Sequence, residues 1–405
     1  MLKEKLDVLV VGAGPAGSFA AERLSMAGVR VGLFDGRPAG EPKPCGGGVT
    51  SKALKAWPHL LEATGRMIEE LELYSPGGKR LHLELEEPFA IYSRTALDSY
   101  LRERAVRAGA RVIQERVRFR ERANSSSDWA VLSRSGEEWS APLVVAADGA
   151  NSAIAKRLAG PLAPAEMEVA FGYRTPLPKT ESAPTVVAFL PGWAGYAWAF
   201  PRVDHISFGI ATSQDAFDHE LLDKLLWKFM LGYYRMRQDS TARLWSSGKQ
   251  YASLDSQIEL ELRRVAERYA ARIPGLAPET WDTRRASGEG WALIGDAAGF
   301  ADPVTGEGIY YALRSAELLS EAYLEGRVSD YENRWRADFG QELRRASQMR
   351  RRFYGNFWGA PFTERMIEFA RTHRGIRRTL GELVAGDQGY TDLKRKLARR
   401  ALLPL

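Results

Sequence analysis

The apolar positions of this chain fall into two periods. Residues 8–11 (Val-Leu-Val-Val) and 31–34 are continuous apolar runs of strand length, and the Ala-rich stretch between them has the spacing of an amphipathic helix. Similar buried-strand runs recur at 143–151, stopping at Asp148-Gly149, and at 291–294, stopping at Gly295-Asp296. Strands of this kind alternating with helices predict a parallel, doubly covered α/β sheet. Period two marks residues 70–91 as strands around a Pro-Gly-Gly turn, and four more strand-like runs occupy 169–212. Together they predict a second, mainly antiparallel sheet. Helical spacing appears at 51–67, at 94–109, entered through Arg94, and at 217–235 and 257–272. Residues 110–135 read as strands of a smaller sheet around a polar turn at 124–128, and from 328 onward the pattern is helical, aromatic and basic.

Composition narrows the class without naming it. At 405 residues with 45% hydrophobic content, the chain is long enough for two or three substructures with their own cores. No apolar run reaches the roughly 18 to 20 residues of a membrane span, and the first strand begins where a signal peptide would need separate cationic and apolar regions. The expectation is a cytoplasmic protein. A single cysteine, Cys45, excludes an intramolecular disulfide and any cysteine-cluster metal site, and the five histidines show no ligand spacing, so no metal is expected. Net charge is +6, with clusters at Arg344, Arg345, Arg350, Arg351 and Arg352 and at Lys394, Arg395, Lys396, Arg399 and Arg400. These are solvated helix faces, or they give peripheral contact with an anionic membrane, an acidic protein donor or a phosphate-bearing substrate. No recognition motif accompanies them, so nucleic acid is not an expected partner.

The chemistry begins in the first strand–helix–strand unit. Gly12-Ala13-Gly14-Pro15-Ala16-Gly17 follows the first strand and opens the helix, and Asp35 ends the second strand. This is the dinucleotide-binding pattern: Gly12 for the tight turn, Gly14 for backbone approach to a pyrophosphate, Gly17 for close helix–sheet packing. The helix N-terminus offers free N–H groups and a positive dipole end, and Asp35 stands where a carboxylate accepts ribose hydroxyls. Spacing alone leaves FAD and NAD open. No second motif of the kind occurs. Reducing equivalents are therefore expected from transiently docked NAD(P)H or a reduced electron-transfer protein.

Three motifs in this order, with Asp148-Gly149 and Gly295-Asp296 at later strand ends, resemble flavoproteins of the para-hydroxybenzoate hydroxylase fold. That resemblance implies FAD, with Asp296 at the ribityl chain, Asp148 near both FAD and a passing nicotinamide, and Arg94 against the pyrophosphate. It also implies that the loop Pro303 to Gly308, ahead of the helix beginning at Ile309, crosses near the flavin ring, with Gly306 and Gly308 presenting N–H groups to it. The stretches Lys43-Pro44-Cys45-Gly46-Gly47-Gly48 and Tyr196-Ala197-Trp198-Ala199-Phe200-Pro201 are similar to the PCGGG and YxWxFP segments of the geranylgeranyl reductase family. Its members are FAD enzymes that saturate isoprenoid double bonds. The likeness spans residues 7 to about 325 and implies a role for Cys45 in substrate placement or flavin reactivity, with Gly46 and Gly47 at the cofactor. Tyr196, Trp198 and Phe200 alternate on one strand and so share a face, which serves as the wall of an apolar slot or as an ordinary aromatic core. A lone cysteine is also often a small buried hydrophobe.

The expected architecture is thus α/β, with a discontinuous Rossmann-like FAD-binding domain (1–69, 94–166 and 285–327). A mainly antiparallel substrate domain (70–93 and 167–284) and a helical C-terminal region (328–405) complete it. The expected activity is reduction of carbon–carbon double bonds in a prenyl chain of a small molecule or lipid. The rivals are a flavin monooxygenase and a non-catalytic flavin- or lipid-binding protein.

Overall fold

The structure, a computed structural model, describes residues 6–38, 40–41, 43–120, 128–178, 183–213, 218–239, 241–246, 248–357 and 359–401. The polar turn expected at 124–128 lies outside them except for Asp128. The chain divides into two compact units, each assembled from three separate segments.

The first unit comprises residues 1–43, 94–166 and 273–347. Its six-stranded sheet has the order Ser287–Gly288, Trp291–Leu293, Leu143–Ala146, Val8–Val11, Val31–Phe34, Arg111–Ile113. All pairs but the first are parallel. Val8–Val11 is buried along its whole length, as a central strand covered on both faces must be, which is why its sequence is unbroken aliphatic. Helix Pro15–Met26 packs on helices Arg94–Arg107 and Ile309–Leu324. A separate three-stranded sheet is made by Val117–Arg120, Trp129–Ser133 and Glu138–Ala141. The small sheet expected over 110–135 is therefore split, because Arg111–Ile113 finds its parallel partner in Val31–Phe34.

The second unit comprises residues 44–93, 167–272 and 348–405. It holds an eight-stranded sheet of order Glu267–Pro274, Met167–Pro176, His205–Ser213, Gly195–Pro201, Val186–Phe189, Gly65–Tyr74, Arg80–Tyr92, Gly48–Val49. From Met167–Pro176 to Gly48–Val49 along this order, neighbouring strands are antiparallel except Val186–Phe189 with Gly65–Tyr74, which are parallel. Helix His219–Gln238 lays Leu222, Leu226, Phe229, Met230 and Tyr233 into one buried cluster with Phe208, Ile210 and Ala197.

Four expectations need correction. The helix read at 51–67 is the short helix Ser51–Ala56, a 3-10 turn Pro58–Glu62, and then strand from Gly65. Pro58 lacks the N–H the helix needs, and Gly65 is required in the strand because a Cβ there would lie 2.4 Å from the Tyr92 ring. The helix read at 257–272 is instead Ala252–Val265, followed by edge strand Glu267–Pro274. Alternation in Glu-Arg-Tyr-Ala-Ala-Arg-Ile-Pro wins there: Tyr269 turns inward, its hydroxyl donating to the Phe208 carbonyl at 2.8 Å. Finally, the C-terminal stretch is shared between the units. Residues up to 347 belong to the first, where Trp335 and Phe339 pack on Phe300 at ring separations of 4.9 and 5.0 Å. Residues from 348 belong to the second, where Ser51 Oγ donates to the Ala385 carbonyl at 2.9 Å. Residues 44–69 also fall in the second unit, since Gly48–Val49 pairs with Arg80–Tyr92.

Candidate active site

In the first unit, the strand ends gather the glycines and acids picked out above. Gly12 adopts φ +108, and a Cβ on it would come 2.3 Å from the Ala147 carbonyl oxygen. A Cβ on Gly17 would sit 1.8 Å from the Gly12 oxygen. Both glycines are therefore demanded by the protein itself. Gly14 differs, because a Cβ there meets nothing within 4 Å. It is the N-cap of helix Pro15–Met26, and no side chain caps the first turn, so its N–H groups are left without a side-chain acceptor. Ala16 is buried against Gly295, whose φ is +56 and whose Cβ would stand 3.1 Å from that of Ala16.

Asp35 is buried at the tip of its strand. Its Oδ1 accepts from the Arg37 backbone N–H at 3.2 Å and its Oδ2 from Arg102 at 3.1 Å. Arg94 is buried and grips Asp98 through Nε and Nη2 at 3.0 and 3.2 Å, one helical turn on. Burial pushes the Asp98 carboxyl up, but Arg94, Lys43 and Arg37 outweigh it and hold the group below its ordinary value. The result is a carboxylate that keeps Arg94 extended and fixed. Asp148 is exposed at the next strand end, yet the walls around its carboxyl desolvate it and raise its pKa against hydrogen bonds from Ser152 and the Ala153 N–H. Asp296 lies in the 3-10 turn Gly295–Ala297, half-buried, with Gly308 so close that a Cβ there would be 2.9 Å from Asp296 Oδ1. The 303–308 loop is held by Asp302, which is buried. Its Oδ1 accepts from the Val304 and Thr305 N–H groups at 2.7 and 3.2 Å, while its own N–H donates to the Glu307 carbonyl. This leaves Pro303 in the turn, Gly306 at φ +71, and Ile309 opening a helix whose N-cap, Gly308, provides no side-chain acceptor.

These features fit FAD: a glycine bend whose middle member faces open space, two uncapped helix N-termini, and acids at three strand tips. When bound, the group would be held by the Gly12–Gly17 turn, Asp35, Arg94 and the Asp296 and Gly306–Gly308 segments, and it would supply two-electron redox chemistry.

In the second unit, Tyr196, Trp198 and Phe200 share one face of strand Gly195–Pro201, with ring centroids 5.8 and 6.3 Å apart in succession. Trp198 is buried because its cross-strand partner is Gly209, where a Cβ would fall 2.0 Å from the indole. Its Nε1–H has no acceptor among the described residues. The loop carrying Cys45 packs on this face, since a Cβ on Gly46 would stand 3.3 Å from the Phe200 ring and one on Gly48 would stand 3.8 Å away. Cys45 is half-buried, and its Sγ accepts from the Gly47 N–H at 3.3 Å. Gly47 has φ +83, and its carbonyl accepts from the Tyr92 N–H at 2.9 Å. Cys45, Gly46 and Gly47 thus lie with the aromatic strand in this unit.

Sequence reasoning missed Arg102, Asp98, Asp302, Gly209 and Arg202. Asp302 was the most legible, as an Asx residue opening a Pro-containing loop. Asp98 stands four residues after Arg94, one turn along the same helix, whereas Arg102 pairs with Asp35 at a distant strand tip, so no local spacing marks Arg102.

A parallel sheet bearing this cradle, joined by chain to a large antiparallel sheet, defines a flavoprotein of the α/β class. The FAD binding domain family matches residues 5–173. Over 339 residues the chain is 32% identical to geranylgeranyl diphosphate reductase of Rhodobacter capsulatus, covering 78% of this chain and 75% of that protein. It is 30% identical over 381 residues to geranylgeranyl diphosphate reductase of Synechocystis sp., covering 86% and 85%. Against digeranylgeranylglycerophospholipid reductase of Methanothrix thermoacetophila the identity is 28% over 372 residues, covering 84% and 85%. The fold superposes on a geranylgeranyl bacteriochlorophyll reductase-like protein from Thermoplasma acidophilum with a TM-score of 0.73 at 20% identity, covering 98% of this chain and 99% of that one. It also superposes on a flavin-dependent brominase with a TM-score of 0.69 at 17% identity, covering 98% of each. The chain belongs to the geranylgeranyl reductase family of FAD-dependent oxidoreductases.

Proposed function

We propose that this flavoenzyme saturates carbon–carbon double bonds of a prenyl chain carried on a diphosphate, a pigment or a lipid. The observation that carries the reading is the run of three aromatic rings with the Cys45 loop seated on it. Reduction of an isolated alkene needs a hydride equivalent at one carbon and a proton at the other, away from bulk water. In this reading Tyr196, Trp198 and Phe200 bind the apolar chain and exclude water, and Cys45 positions the reacting bond. Gly12, Gly14, Ala16, Gly17, Asp35, Arg94, Asp148, Gly295, Asp296, Pro303, Gly306, Gly308 and Ile309 form the cofactor cradle, with Gly46 and Gly47 as further cofactor contacts. The donor is NAD(P)H or a reduced electron-transfer protein that docks transiently, and the basic helices near the C-terminus meet an anionic lipid surface. No helix among the described residues is long and apolar enough to cross a membrane.

The test is anaerobic turnover of FAD-loaded protein, chemically reduced, with geranylgeranyl diphosphate and with a geranylgeranylated glycerophospholipid in neutral or anionic vesicles. A gain of two hydrogens per saturated bond in the product mass is expected, faster from anionic vesicles. No mass gain with any prenyl substrate ends the reading. Incorporation of labelled oxygen under air would replace it with a monooxygenase.

A further inference from the structure

A buried cation, Arg202, holds the cysteine loop. Arg202 follows the aromatic strand directly, in the tight turn to His205–Ser213, where its N–H donates to the His205 carbonyl at 2.7 Å. Its residue is 4% exposed, and its Nη2 donates to the carbonyls of both Cys45 and Gly46, the latter at 3.0 Å. A guanidinium taken out of water is costly unless its donors are used, and hydrogen bonds from a charged donor are about twice as strong as neutral ones. Here both Nη2 donors go to carbonyls of a single loop, the one bearing the chain's sole thiol.

The glycines of that loop make sense around this cation. A Cβ on Gly47 would approach Arg202 Nη2 to 3.1 Å and the Tyr92 carbonyl oxygen to 2.2 Å. A Cβ on Gly46 would press on Phe200. The loop is therefore threaded between a strand edge, an aromatic ring and a guanidinium, with room for backbone alone. Its carbonyls turn to Arg202, which turns the Gly47 N–H toward the Cys45 sulfur. As in an oxyanion-hole support, one buried group orients two peptide units, and the second of them, between Gly46 and Gly47, aims its own N–H at the sulfur.

We infer that Arg202 is a positioning residue: by pinning the Cys45 and Gly46 carbonyls, it holds the Cys45 thiol in place against the Trp198 and Phe200 face. For catalysis the inference rests on the prenyl-reductase reading, but the clamp itself can be tested without any substrate. Because Cys45 is the only thiol, alkylation by N-ethylmaleimide followed by intact mass reports on this loop alone. Arg202→Met should speed alkylation of the FAD-loaded protein by about tenfold, the scale set by losing one or two charge-assisted hydrogen bonds. Arg202→Lys, which keeps the charge and one donor direction, should fall between. Gly47→Ala, which breaks the loop from its other side, should behave like Arg202→Met. If Arg202→Met does not fold, the lysine and alanine variants decide alone.

In turnover, the same variants should lose about tenfold in kcat with KM within about twofold, and lysine should restore part of the loss. Alkylation rates within about twofold of the unmodified protein in the folded variants would overturn the clamp. Faster alkylation with unchanged kcat would leave the clamp standing and overturn its role in the reaction, since the thiol's placement would then be irrelevant to turnover. Failure of the unmodified enzyme to reduce any prenyl substrate would sink the functional reading while leaving the alkylation result to judge Arg202.

Discussion

At the scale of single residues, the glycines of the opening motif divide by what stands where their side chains would be. Gly12 and Gly17 are blocked by backbone oxygens at 2.3 and 1.8 Å, whereas Gly14 meets nothing within 4 Å. The first two are required by the fold and the third is left open for a ligand, the same division that the motif's spacing implies. Gly12→Ala should therefore destabilise the protein by at least about 2 kcal/mol even without FAD, as overpacking and left-handed strain add. Gly14→Ala should leave the melting of the FAD-free protein within about 0.5 kcal/mol and weaken FAD binding by tenfold or more, read by flavin fluorescence titration. Equal destabilisation of the FAD-free protein by both substitutions would contradict this division. Cys45 and Arg202 show the converse: one was conspicuous as the sole cysteine, while the other gave no sign that a buried cation holds it.

At the scale of elements, charge decides where a marginal helix ends up. Helix Leu393–Ala401 is strongly basic and would have little reason to dock, yet Lys396 and Arg400 both reach Glu382 on helix Arg374–Val384, at 2.7 and 2.9 Å. Burial pushes the Glu382 carboxyl up, but Arg400 and Lys396 outweigh it and hold its pKa at about 2, below the ordinary 4.5. A carboxyl with a lowered folded pKa contributes stability that is fully present above its unfolded value and is lost as pH falls through the folded one. Hydrogen exchange in residues 393–401, corrected for intrinsic rate, should accordingly rise as pH drops from about 4.5 toward 2. Glu382→Gln should give the same increase at neutral pH, worth about 1 kcal/mol, and remove the acid dependence. Two of the five charges in this cluster thus have an internal electrostatic task, and the proposed contact with an anionic surface falls to Lys394, Arg395 and Arg399.

At the scale of the whole molecule, both units draw on the beginning, middle and end of the chain. The last segment is part of the second unit's packing: helix Arg374–Val384 lies on strand Arg80–Tyr92, and Ser51 Oγ bonds both the Ala385 carbonyl and Asp387. Leu380 and Leu383 are buried there. A chain ending at Ser347 should consequently lose this unit's cooperative melting or become insoluble, rather than behave as an enzyme shorn of a tail. Calorimetry on the truncated protein checks this, and an unchanged melting profile would mean that the segment is an accessory.

Alternating and continuous apolar runs, together with three glycine- and acid-bearing strand ends in the right order, were enough to read the parallel sheet, the antiparallel sheet and a dinucleotide site from the letters, and the resemblance to known flavoproteins made that dinucleotide FAD. These signals are local: each sits within one strand–turn–helix unit, where backbone sterics leave few residue choices. The fate of 51–67 and 257–272, the sharing of the C-terminal stretch, and the supports at Gly209 and Arg202 were decided only in three dimensions. Each depends on a partner far along the chain, whether a strand edge wanting a neighbour, a ring wanting space or a carbonyl wanting a donor, and periodicity within a window carries no record of such partners.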